Sequence, residues 1–133
     1  MTNKLFYGDN LDVLREHIGD ASVDLVYLGP PFNSNANYST LFKDKSGAAS
    51  DAQIEAFEDT WHWNDRAEDV FDQVAKSGNT KAFDLLRAMR DFLGDNDMMA
   101  YLAMMAVRLL ELHRVLSRPA ASICTAIRPH RII

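Results

Sequence analysis

The chain has 133 residues, of which 47% are hydrophobic and 25% charged, with a formal net charge of −5 and a single cysteine. That size and composition suit one globular domain, and they exclude global disorder and an internal disulfide. Nineteen acidic residues against fourteen basic ones argue against the basic face with which a protein holds the DNA backbone.

No apolar run approaches the about 18 residues that a bilayer-spanning helix needs. Met1-Thr2-Asn3-Lys4 leads straight into a strand-like run, without the long apolar core of a signal peptide. A soluble cytoplasmic protein with no membrane partner is the expectation. No His/Cys cluster has zinc spacing, so no metal site is expected.

Leu5-Phe6-Tyr7 is a short apolar run that stops at Gly8-Asp9-Asn10. It reads as a buried strand ending in a turn. Asn10 is the expected N-cap of a helix through Leu11, Leu14 and Ile18, closed by Gly19-Asp20. Val23 to Leu28 is a second apolar run, too short for a helix and bounded by Gly29-Pro30-Pro31. Strand, helix, strand in this order suggests a parallel sheet. Asn33 to Thr60 is a long polar stretch, and loops of that length are often functional.

Three helices are expected next: Asp65 to Ala75, Thr80 to Leu93 with Gly94 as its C′ residue, and Asp97 to Leu116 capped by Asp95 or Asn96. In the last, Met98, Leu102, Met105, Leu109 and Leu112 follow helical spacing, a stripe that reads as core rather than as a cofactor box. Ser117 to Ala121 should break the helix. Ser122 to Ile127 can form a strand. The closing Arg128-Pro129-His130-Arg131-Ile132-Ile133 fits no element.

The most informative unit is Val23 to Phe32, an apolar strand running into Gly-Pro-Pro-Phe. It resembles the catalytic motif of amino-group methyltransferases that use S-adenosylmethionine, in which Asp or Asn precedes Pro-Pro-aromatic at the end of a central strand. The motif's chemistry explains those residue types. An exocyclic amine of adenine or cytosine is a poor nucleophile, because its lone pair is delocalised into the ring. A side-chain oxygen and a backbone carbonyl that accept its two hydrogens draw the nitrogen toward tetrahedral geometry. Prolines hold the carbonyl in place and add no competing donor. An aromatic side chain stacks on the base once it is flipped from the duplex.

The flanks extend the likeness. Asn3 to Asn10, Asn33 to Tyr38, Phe57 to Trp63 and Leu112 to Leu116 are similar to the adenine-N6/cytosine-N4 branch whose catalytic motif precedes its cofactor motif. The resemblance spans residues 3 to 116, read as the N-terminal part of a catalytic domain. It implies a partial Rossmann-like α/β fold, a DNA substrate, more readily adenine than cytosine, and S-adenosylmethionine as cofactor. It places Gly29, Pro30, Pro31 and Phe32 in the catalytic motif, with Phe32 at the base-stacking position. Phe32 has a rival reading as a buried turn aromatic. Asp9 falls where the family has an acidic residue near the cofactor's adenine, and a helix-capping turn explains it equally well. Trp61 and Trp63 fall on the base or DNA-facing side of the cleft, with core packing as their rival reading. His62 and His113 carry no partner pattern.

Two departures stand out. Gly29 replaces the family's Asp or Asn, a change of one base in a codon, and removes an acceptor for the target amine. Loss of such a contact costs a few kcal/mol, about two to three orders of magnitude in rate. The second departure is the tail. After Leu116 the family would continue Lys-Pro-Thr-Gly-Ser-Ile-Tyr-Leu-His-Cys-Asp-Pro-Thr-Ala-Ser-His-Tyr-Leu. Codons for Leu116 to Ile133 can be chosen so that, regrouped from the last base of the Leu116 codon, they spell that sequence, and the same choice places TGA directly after the Ile133 codon. Residues 117–133 are therefore read as an out-of-frame tail that follows a one-base deletion.

No Gly-X-Gly occurs in the chain, whereas the family's Phe-X-Gly-X-Gly loop presents backbone N–H groups to the cofactor. Cofactor binding by this chain is therefore doubtful, and a truncated, inactive methyltransferase is the expectation. The architecture expected is two or three parallel strands near Leu5, Val26 and Ile123 with helices packed on them. With strands missing, it should be marginally stable, with an exposed sheet edge and a tendency to associate. One alternative is an interaction module that pairs with itself or with a complementing subunit. Another is a fragment of an RNA or protein amino-methyltransferase, against which the Trp61-His62-Trp63 and Leu112 to Leu116 flanks argue.

Overall fold

The computed structural model describes residues 2–29, 36–40, 54–59 and 61–124. Their fold is helix-dominant and α/β in class. In chain order it comprises α1 (Asn10–His17), β1 (Val23–Leu28), β2 (Ala36–Thr40), β3 (Ile54–Asp59), α2 (Asp65–Lys76), α3 (Thr80–Leu93), α4 (Asp97–Val115) and β4 (Leu116–Cys124). Helix α4 is the hub, with α1, α2 and α3 packed on it.

Each helix starts at a side chain that satisfies an orphan N–H. Asn64 Oδ1 accepts from Ala67 N at 3.1 Å, Asn79 Oδ1 from Ala82 N at 3.0 Å and Asn96 Oδ1 from Met99 N at 2.9 Å. The cap of α1 is Asp9, whose Oδ1 accepts from Leu11 N at 2.9 Å. Asn10, the expected cap, is instead the first helical residue. Both are good capping residues, and the side chains of both also accept from Arg108 on α4. Helix α3 ends at Gly94, whose φ of 77° is cheap only without a Cβ, and whose N–H returns to Arg90 O at 2.8 Å.

The core gathers one face from each helix. Helix α2 contributes Val70, Phe71 and Val74, α1 contributes Leu11, and α3 contributes Leu86. From α4 come Met99, Ala103, Met104 and Val107. Of the expected stripe of Met98, Leu102, Met105, Leu109 and Leu112, Leu102 packs against this core, whereas Met98 and Leu109 are 51% and 50% exposed and lie off the core face. Helix α4 is apolar nearly all round, so periodicity alone offers two faces. The buried face carries Ala100 and Ala103, whose small side chains let neighbouring helices approach closely.

Strands β1 and β4 form a parallel pair, with Leu25 opposite Ala121, Val26 opposite Ser122, Tyr27 opposite Ile123 and Leu28 opposite Cys124. Val23 pairs with Leu116, so two steps along β1 match five along β4, and the bulge lies between. Pro119 falls in that stretch, where its missing N–H breaks no regular ladder bond. Next to it, Ala21 N donates to Arg114 O at 3.0 Å and Ser22 N to Val115 O at 2.8 Å, satisfying carbonyls of α4's last turn. Arg114 completes the corner. Its Nη2 donates to Leu14 O at 2.8 Å and Ile18 O at 3.2 Å at the end of α1, and the same guanidinium pairs with Asp20 and Glu111.

Two expectations need correction. Leu5-Phe6-Tyr7 forms no strand, and Leu5 is 99% exposed. A strand persists only where a neighbour takes its backbone bonds, and β1 pairs with β4 alone among the described residues. Phe6 instead stacks on His17 of α1, ring centroids 5.0 Å apart. The polar stretch from 33 to 60 is not wholly loop, because β2 and β3 pair antiparallel within it. Its Asn, Ser and Asp content hid the strands.

Candidate functional site

Strand β1 delivers the chain to Gly29. In open parallel sheets ligands bind outside the carboxyl ends of the strands, and Gly29 stands there, one residue past the Leu28–Cys124 pair. Its backbone is outside the left-handed region, and among the described residues nothing lies within 4 Å of where a Cβ would stand. Neither conformation nor crowding demands glycine at this position. Pro30, Pro31 and Phe32, the rest of the expected motif, lie outside the described residues.

Asp9 is placed in full. Besides capping α1, its carboxylate meets Arg108 Nη2 at 2.9 Å (Oδ1) and 2.8 Å (Oδ2). Arg108 also donates from Nε to Asn10 Oδ1 and from Nη1 to Met104 O, both at 2.9 Å. Arg66 Nη2 stands 3.6 Å from Asp9 Oδ2. One carboxylate therefore ties α1 to both α4 and α2. This is the capping reading of Asp9, and it leaves neither oxygen without a cationic neighbour. One signal points to Arg108 in the sequence: a cation amid the apolar run of α4 needs a partner.

Trp61 and Trp63 are both half-buried against the core. Trp61 lines a hollow of about 60 Å³ together with His62, Arg66 and Met104. Trp63 meets Phe71 edge-on at 6.3 Å, and the Arg90 guanidinium lies 4.3 Å above the Trp63 ring and 4.7 Å from that of Phe71. Arg66 joins Asp9 to the Trp61 hollow. Trp63 sits instead by Arg90, and Gly29 touches none of these.

Arg90 is held by two carboxylates. Its Nη1 and Nη2 donate to the two carboxylate oxygens of Glu68 at 2.8 Å each, and its Nε donates to Asp95 Oδ1 at 2.7 Å. The hydrogen bonds it donates to Asp95 and then to Glu68 push its pKa above the ordinary arginine value. In return, Arg90 holds the Asp95 carboxyl below its ordinary 3.8. Sequence reading missed this network, because the partners come from different elements. His62 Nδ1 lies 3.0 Å from Asp97 Oδ1, and both side chains are exposed. Among the described residues no three His, Cys, Asp or Glu side chains could share a metal ion, and no helix is long and apolar enough to cross a membrane.

No protein family, curated protein or solved structure matches this chain.

Proposed function

We propose that the chain is the part of a DNA amino-methyltransferase of the adenine-N6/cytosine-N4 branch that bears the catalytic motif, in a form unable to transfer a methyl group by itself. The observation behind this reading is the placement of Gly29, at the carboxyl end of a strand in a parallel pair, leading into Pro30-Pro31-Phe32. A Rossmann-like sheet completed by further strands is part of the same proposal.

The described residues do not fit S-adenosylmethionine. Both oxygens of Asp9 are engaged by Arg108, and the chain has no Gly-X-Gly. Gly29 also offers no side-chain acceptor to a target amine. These 133 residues are therefore expected to leave S-adenosylmethionine unbound in titration calorimetry. Micromolar binding would overturn the inactive reading. DNA as partner belongs to the proposal, and the net charge of −5 gives this chain little backbone attraction of its own.

The family assignment has its own test in the gene. Codons 116 to 133 should regroup from the last base of the Leu116 codon into Lys-Pro-Thr-Gly-Ser-Ile-Tyr-Leu and its continuation, with Phe-X-Gly-X-Gly further along that frame. A codon set that cannot be regrouped so would remove the out-of-frame reading of 117–133.

A second reading draws on the surface. Leu25 and Tyr27 of β1 are 54% and 69% exposed, although parallel strands are ordinarily covered on both faces. An interaction module that pairs with a complementing chain would cover them. Co-purification of a chain carrying Phe-X-Gly-X-Gly favours that role, and its consistent absence opposes it.

A further inference from the structure

We draw no further inference here: the strongest candidate, the half-exposed apolar face of α4 around Met98 and Leu109, carries nothing because nothing in the structure shows what covers it.

Discussion

Arg108 Nη2 contacts both carboxylate oxygens of Asp9, at 2.9 and 2.8 Å, across ninety-nine positions of sequence. The pair docks the first helix of the chain onto the last. Asp9 is 31% exposed and Arg108 only 11%, so the ions are partly shielded from water, and removing one strands the other.

Arg108→Ala should therefore cost about 2–3 kcal/mol, the scale of a lost hydrogen bond to a charged group together with the donors to Asn10 and Met104. Asp9→Asn keeps a good N-cap while losing the charge and one of the two acceptor oxygens, so it should cost less than removing the whole arginine, about 1–2 kcal/mol. Urea midpoints of the two single variants and the double variant give the coupling. A coupling near zero would show that the pair holds nothing together.

At Gly29 the expectation is the reverse. Among the described residues nothing lies within 4 Å of where its Cβ would stand, and its backbone is outside the left-handed region. Gly29→Asp should shift stability by no more than about 0.5 kcal/mol. It should also fail to create S-adenosylmethionine binding in calorimetry, because the cofactor loop is still missing. A large loss of stability would mean that glycine is structurally required here. Binding gained from this one change would place the cofactor site in residues now read as incapable of forming it.

Local signals fixed the helices well. The apolar spacing of Val70, Phe71 and Val74 marks α2, Gly94 ends α3, and Asn96 caps α4. The Val23 to Leu28 strand also stood out, because a short apolar run closed by Gly-Pro-Pro has few other readings. Long-range choices were harder to read. Nothing local decides which of the two apolar faces of α4 meets α2, and nothing near Leu5 says whether a neighbouring strand exists. The Asp9–Arg108 and Glu68–Arg90 pairs join elements far apart in sequence, so no spacing rule reveals them.

Asp95 gives a pH dependence of known sign. Its folded pKa lies below the ordinary 3.8 because Arg90 hydrogen-bonds the charged form. A carboxyl shifted down adds stability that is fully present above its unfolded value and fades as pH falls through the folded one. Wild type should exceed Asp95→Asn in urea midpoint at pH 6, and the gap should close below 3.8. Trp63 fluorescence is a suitable probe, since Arg90 lies 4.3 Å over its ring. A gap that stays constant down to acid pH would assign the effect of Asn to something other than this charge.

Self-association is the last expected behaviour. Leu5 is 99% exposed, Phe92 88% and Leu109 50%, and β1 keeps Leu25 and Tyr27 toward solvent. Burying apolar surface stabilises by about 25 cal/mol per Å², so contact between copies is favoured as concentration rises. Association of folded chains raises the melting temperature with protein concentration. Melts across a hundredfold dilution, read beside sedimentation velocity, should therefore show a falling midpoint and a lighter species on dilution. A high melting temperature independent of concentration, with one sedimenting species throughout, would show that the two-stranded sheet and its helices form a self-sufficient domain.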